Sequence, residues 1–116
     1  MSLVIITGGS RGLGFETAKS LRAQGHQIVL VAKDNDRLAE AASQLDCGYR
    51  AVDLADIDAA KKTFEEILES IGVPEILILA HGVMSAKMSK TLKTDNQEWR
   101  RVMAINLDSV FCAVNT

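Results

Sequence analysis

The sequence predicts an α/β protein with a doubly wound parallel sheet, arranged in three layers of helix, sheet and helix. Short apolar runs rich in β-branched residues recur along the chain, and segments with helical periodicity separate them. Such runs are typical of strands that are buried on both faces. The links between strand and helix are short, which favours right-handed crossovers and parallel strands covered on both faces.

Four strands follow from the apolar runs. They are predicted at residues 3–6, 28–31, 49–52 and 76–79, and the third run is the least apolar. We expect the sheet order three, two, one, four. The fourth run is apolar at every position, which is typical of a central strand, yet none of the predicted strands would flank its far side. Because a bare apolar edge favours pairing with other chains, we expect further residues or a second chain to cover it.

Helices are predicted between the strands from apolar spacing and capping residues. Leu13, Thr17 and Leu21 lie four residues apart, and Gly25 suits the end of that helix. Polar residues that can cap a helix precede the later helical segments. In chain order these are Asp34 or Asn35, Asp56, and Thr94 or Asp95.

Length and charge restrict the classes of function. The length permits one domain, and we expect residues 1–116 to be the N-terminal part of a single-domain protein. The 13 Lys and Arg against 15 Asp and Glu give a net charge of −2. Without a basic field, binding to nucleic acid or to a membrane surface is not expected. No apolar run approaches the roughly 20 residues of a membrane span. Cys47 and Cys112 have no partner at metal-ligand spacing, so we expect reduced thiols, no metal site and a cytoplasmic location.

A glycine-rich loop follows the first predicted strand and opens the first predicted helix. Residues 7–14 read Thr-Gly-Gly-Ser-Arg-Gly-Leu-Gly. Glycines at this place let the backbone turn sharply and approach a diphosphate, while the helix N-terminus attracts the anion. No Gly-Lys-Ser/Thr follows, which excludes a P-loop for nucleoside triphosphates. The alternative is a glycine-rich turn without a ligand.

With this loop in place, the chain resembles the short-chain dehydrogenase/reductase family, whose cofactor loop has the pattern T-G-x-x-x-G-x-G. Three further segments fit the family in order and spacing. They are Asp53-Leu54, the Ile-Leu-Ile-Leu-Ala-His-Gly of residues 76–82, and the Met-Ala-Ile-Asn-Leu of residues 103–107. The resemblance covers all 116 residues and implies a Rossmann-type fold, which would be incomplete in this chain.

The resemblance implies a nicotinamide dinucleotide site at the carboxyl ends of the strands. The residues that would cradle the diphosphate are Gly8, Ser10, Arg11, Gly12, Leu13 and Gly14. Asp53, with its neighbour Leu54, would contact the adenine. Ala80 and Gly82 would pass close to the ribose.

The fourth strand ends differently from the family pattern N-N-A-G. Leu79 and Ala80 replace the two asparagines, which brace the sheet and line the cofactor in the family. His81 stands where the family has alanine. Because the sequence suggests no partner for it, we interpret His81 as an incidental substitution.

Two basic residues favour NADP(H) over NAD(H), although NAD(H) stays possible. Lys33 follows the second strand, where a cation favours the 2′-phosphate of NADP and a carboxylate would favour the free hydroxyl of NAD. Members of the family with a basic residue there and another before the middle glycine use NADP(H), and Arg11 occupies the second position. Asp34 has the spacing of a ribose ligand, about 20 residues past the loop, but we interpret it as a helix cap. The alternative for Lys33 is a solvated surface charge.

Asn106 is the catalytic candidate in the sequence. With Trp99, Met103 and Val110 it recurs at steps of four, three and four, so we expect a buried amide on an otherwise apolar helix face. Such an amide needs hydrogen-bond partners, and a bond to neighbouring backbone is the structural alternative. In the family that the chain resembles, this Asn holds the helix bent and relays protons through water toward a catalytic Lys.

The expected function is hydride transfer between NADP(H) and the carbon of a small alcohol or ketone. In the family, a Tyr with a Lys four residues later donates the proton, beside a Ser that orients the substrate. The only tyrosine here is Tyr49, and Asp53 lies four residues on, so Tyr-x-x-x-Lys is missing. We therefore expect a truncated reductase, inactive as 116 residues and homo-oligomeric when intact. The alternative is a non-catalytic dinucleotide-binding or interaction module.

Overall fold

Strands and helices alternate along the chain, as the sequence predicts. The computed structural model describes residues 2–10, 12–81, 96–108 and 113–114. The elements are β1 (Leu3–Thr7), α1 (Gly12–Ala23), β2 (Gln27–Ala32), α2 (Asn35–Leu45), β3 (Gly48–Ala51), α3 (Ile57–Ser70), β4 (Ile76–Leu79) and α4 (Asn96–Met103), followed by a π-helix at Ala104–Asp108. The predicted caps Thr94 and Asp95, and Cys112, lie outside the described residues.

The four strands form one parallel sheet in the order β3-β2-β1-β4, which confirms the predicted order. In the register of the sheet, Thr7 at the end of β1 lies opposite Val31 of β2 and Leu79 of β4. The strand order reverses between β1 and β4. In open α/β sheets this switch leaves a crevice at the carboxyl ends of the strands, where ligands bind.

Helices cover both faces of the sheet because successive strand residues point to opposite sides. In β1, Val4 and Ile6 pack with residues of α1 and α2, whereas Ile5 packs with Phe64 and Ile67 of α3. All of these side chains are buried. The three-layer, doubly wound arrangement is therefore confirmed.

Capping by aspartate explains where α2 and α3 begin. The Asp34 Oδ1 atom accepts a hydrogen bond from the Arg37 N–H at 3.1 Å, and Asp56 Oδ1 accepts one from the Ala59 N–H at 3.1 Å. Each bond satisfies one of the N–H groups that the first turn of a helix leaves without a partner. Asp34 rather than Asn35 is thus the cap of α2. At the other end α2 is closed by Asp46 in the left-handed conformation, with φ 51°.

β4 lies at an edge of the sheet within the described part of the chain, where it pairs with β1. Ile76, its first residue, is exposed. None of the described helices combines the length and apolar character that crossing a membrane requires.

Candidate functional site

A cavity of about 530 Å³ opens at the carboxyl ends of the four strands. Its described lining residues are Gly8, Ser10, Gly12, Leu13, Gly14, Ala32, Lys33, Asp34, Arg37, Val52, Asp53, Leu54, Ala80, His81 and Ile105. Every predicted cofactor residue in the described part of the chain is among them. The other two, Arg11 and Gly82, lie outside the described residues. The structure thus brings together residues from Gly8 to Ile105, from the segments that follow all four strands and from the π-helix.

The turn after β1 is packed too closely for side chains. Gly8 has φ +69°, and a Cβ atom added to it would lie 2.6 Å from the Ala80 carbonyl oxygen. A Cβ atom on Gly14, in the first turn of α1, would lie 2.2 Å from the Gly8 carbonyl oxygen. These glycines therefore allow α1 to start directly against the turn, with Ala80, the residue after β4, close to Gly8.

The first residue of α1 is open toward solvent. Gly12 has φ +61°, and a Cβ atom added there would have no neighbour within 4 Å. The first turn of α1 contains no acidic residue, so no carboxylate within that turn neutralises the partial positive charge of the helix N-terminus. Leu13 lines the rim with 81% of its surface exposed. An anionic ligand with an apolar part can approach here without meeting a side chain at Gly12.

Lys33 and Asp53 form an ion pair across one wall of the cavity. The Lys33 Nζ atom lies 3.5 Å from Asp53 Oδ2, and the side chains are 79% and 43% exposed. The other carboxylate oxygen, Asp53 Oδ1, accepts a hydrogen bond from the Ala55 N–H at 2.9 Å. Exposed pairs of this kind contribute about 0–1 kcal/mol, so a ligand can replace Asp53 as the partner of Lys33 at little cost.

Arg37 is a cavity residue that the sequence analysis missed. It lies in the first turn of α2, where its backbone N–H donates to Asp34, and the exposed residue lines the same cavity as Lys33. The sequence could have predicted this position, because α2 follows β2 and therefore begins at the same edge of the sheet as the glycine loop. Asp34, the residue whose side chain caps α2, also lines the cavity.

His81 has partners, so its interpretation as an incidental substitution without a partner is wrong. The His81 Nδ1 atom lies 2.5 Å from the Thr7 hydroxyl oxygen. The half-buried ring also forms a hydrogen bond with the backbone of Ile105. Burial lowers the pKa of His81 below the usual 6.5, and the bond to Ile105 opposes that effect in part. The sequence could not predict these contacts, because Thr7 lies 74 positions before His81 and Ile105 lies 24 positions after it.

The expected burial of Asn106 is wrong for the described chain. Both Trp99 and Asn106 are exposed. The α-helix ends at Met103, and the π-helix of Ala104–Asp108 forms hydrogen bonds five residues apart rather than four. A spacing of four and three residues no longer keeps side chains on one stripe there. Asn106 is therefore exposed, and its neighbour in sequence, Ile105, lines the cavity.

The sequence matches a family model and several known proteins. The family model for the short chain dehydrogenase matches residues 2–116. A galactitol 2-dehydrogenase (L-tagatose-forming) of Cereibacter sphaeroides is 31% identical over 108 residues, covering 93% of this chain and 42% of that protein. A meso-2,3-butanediol dehydrogenase of Serratia marcescens is 30% identical over 115 residues, covering 96% and 45%. The chain thus spans less than half the length of these two relatives.

Solved structures share the fold. L-Sorbose reductase from Gluconobacter frateurii, complexed with NADPH and L-sorbose, aligns with a TM-score of 0.88 and 25% identity, over 98% of this chain and 45% of that one. A metagenomic short-chain oxidoreductase in complex with NADP aligns with a TM-score of 0.93 and 24% identity, over 98% and 53%.

Proposed function

The chain belongs to the short-chain dehydrogenase family, and from that premise we propose that its cavity binds NADP(H) for the oxidation of a small alcohol or the reduction of a ketone. The observation that carries the proposal is the start of α1. There a glycine with open space around it stands at a helix N-terminus without an acidic residue in its first turn. Backbone N–H groups in this arrangement are suited to a diphosphate.

We propose different roles for the loop residues in binding the diphosphate. Gly12 leaves room for the phosphates to approach the backbone, and Ser10 adds a hydroxyl at the same rim. Gly8 and Gly14 keep the turn tight, so the helix N-terminus points into the cavity. Arg11, next to Gly12 in sequence, is proposed as a further cation for the phosphates.

Charge beside the loop favours NADP(H) over NAD(H). Lys33 and Arg37 both line the cavity, and two cations suit a 2′-phosphate better than a hydroxyl. Asp53 forms an ion pair with Lys33 and is proposed to accept a hydrogen bond from the adenine amino group, with Leu54 also in contact with the adenine. Ala80 and Gly82 are proposed to lie beside the ribose.

A bound nicotinamide would supply the hydride acceptor or donor. This chain's own residues bind and orient that cofactor, and Asn106 is proposed to hold water for proton transfer beside it. The chain includes no Tyr-x-x-x-Lys, so we propose that a further part of the protein supplies the proton donor. The two relatives are named for a polyol and a diol, which supports a small hydroxylated or keto compound as substrate.

Binding of the cofactor tests this proposal directly. The purified chain is titrated with NADPH and with NADH in a calorimeter. NADPH should show saturable binding that is tighter than that of NADH. The 116 residues alone should not turn over a ketone with NADPH. A protein that extends this chain by Ser and Tyr-x-x-x-Lys segments should do so. Absence of binding to either cofactor would contradict the proposal.

The second candidate is a non-catalytic dinucleotide-binding module. The missing Tyr-x-x-x-Lys favours it, and binding without turnover in the longest natural form of the protein would support it. For either function we propose a cytoplasmic homo-oligomer. Cys47, a free thiol in the structure, is consistent with a reducing compartment.

A further inference from the structure

His81 begins a chain of contacts at the point where β1 and β4 end. Its ring is half-buried, and its Nδ1 atom lies 2.5 Å from the hydroxyl oxygen of Thr7. Thr7 is the last residue of β1 and has no exposed surface. Since water does not reach this hydroxyl, losing the imidazole would leave a buried polar group without that hydrogen bond. The contact therefore fixes the ring against the sheet.

The same ring reaches the segment that carries Asn106. It forms a hydrogen bond with the backbone of Ile105, within the π-helix of Ala104–Asp108. This bond favours the protonated ring, as a bond from a ring N–H to a carbonyl oxygen does. The neutral tautomer in which Nδ1 accepts from the Thr7 hydroxyl carries its proton on Nε2. One side chain thus connects β1 to the π-helix.

Ala80, the residue before His81, contacts both the end of β1 and the glycine loop. The Ala80 N–H donates to the Thr7 carbonyl oxygen at 3.1 Å. The Ala80 carbonyl oxygen lies so close to Gly8 that a Cβ atom there would be 2.6 Å away. A displacement of the chain at Ala80 and His81 therefore displaces the turn at Gly8.

We propose that His81 is a positioning residue, whose ring joins the end of β1 to the π-helix and thereby holds the glycine loop and Asn106 in the relative position that a bound dinucleotide requires. His81 itself need not touch the cofactor. The joint, by which we mean the hydrogen bonds of His81 to Thr7 of β1 and to Ile105 of the π-helix, exists without cofactor. Its effect on cofactor binding rests on the proposed function. The two parts can therefore be measured separately.

The test compares four single variants of the purified chain and the double variant that combines Thr7→Val with His81→Ala. His81→Ala removes both hydrogen bonds of the ring, and His81→Gln keeps a donor and an acceptor. Thr7→Val removes the hydroxyl with little change of shape. His26→Ala is the matched control, because this other histidine accepts a bond from the Ser2 N–H at the amino ends of the strands, away from the cavity.

Two measurements are made on each variant, namely amide hydrogen exchange of residues 104–108 without cofactor and the dissociation constant of NADPH. His81→Ala should speed exchange of these amides by about three- to tenfold and weaken NADPH binding by a similar factor, as loss of one or two hydrogen bonds does. Thr7→Val should have part of this effect and add little in combination with His81→Ala. His81→Gln should restore much of both properties, and His26→Ala should change neither.

Each outcome decides one part of the proposal. Wild-type exchange at residues 104–108 in His81→Ala would overturn the joint. Faster exchange with unchanged NADPH affinity would overturn the positioning role. Faster exchange in a chain whose wild type binds no NADPH would support the joint and contradict the proposed function instead. If His81→Ala does not fold, His81→Gln and Thr7→Val carry the same comparison against His26→Ala.

Discussion

The ammonium group of Lys33 lies 3.5 Å from the carboxylate of Asp53, so an ion pair joins the end of β2 to the loop after β3. Both groups are exposed, and the pair is therefore weak and sensitive to salt. A 2′-phosphate carries more negative charge than one carboxylate and can take Lys33 from Asp53. The two residues are consequently expected to affect cofactor binding in different ways.

Reversal of the charge of Lys33 should change the cofactor preference. In Lys33→Asp, NADPH should bind about tenfold more weakly or worse, because a charge-assisted hydrogen bond is replaced by repulsion. NADH should bind as before or more tightly. Calorimetric titration with both cofactors gives the ratio of dissociation constants. Lys61→Asp on α3 is the matched control, since this lysine pairs with Glu65 instead. An unchanged ratio in Lys33→Asp would remove Lys33 from the proposed role.

Asp53→Asn should weaken both cofactors alike. The asparagine Oδ1 atom can keep the bond to the Ala55 N–H, so the loop should hold its shape. The second oxygen, which would accept the adenine amino group, becomes a donor. We expect about a three- to tenfold loss of affinity for NADPH and for NADH, measured by the same titrations. An effect on NADPH alone would show that Asp53 acts through Lys33 rather than on the adenine.

A methyl group on Gly14 should disrupt the loop. Its Cβ atom would lie 2.2 Å from the Gly8 carbonyl oxygen, so the turn or the helix must move. Gly14→Ala should lower the free energy of unfolding by about 2–4 kcal/mol and abolish NADPH binding. Gly48→Ala is the control, because there the added atom would meet its nearest neighbour at 3.8 Å. Urea unfolding of both variants provides the comparison, and equal stability would contradict the packing described for Gly14.

Much of the fold could be predicted because apolar runs and caps are local signals. β4 lies where its run predicts it, and Asp34 and Asp56 cap the helices that follow them. The sites of Gly8 and Lys33 could also be predicted, since residues after parallel strands meet at one edge. The hydrogen bond of His81 to Thr7 could not, because it depends on the register between β1 and β4. The π-helix that changes the setting of Asn106 likewise has no local signal in the sequence.

Stability should fall as the pH falls below 6.5, through His81. Burial lowers the pKa of this ring in the folded chain, whereas the unfolded chain titrates at the usual value. Between the two pKa values the unfolded chain binds more protons, so acidification favours unfolding. Urea unfolding from pH 7.5 to pH 5.0 should show wild type losing its advantage over His81→Gln as the pH decreases. A constant difference between the two would contradict the lowered pKa, and His26→Gln controls for a general effect of losing a histidine.

A crystal structure grown with saturating NADPH tests the central claim most directly. The account predicts the diphosphate at the N-terminus of α1, against the backbone of Gly12, with the 2′-phosphate between the side chains of Lys33 and Arg37. A cavity without cofactor under these conditions, or NADPH bound elsewhere on the chain, would contradict it.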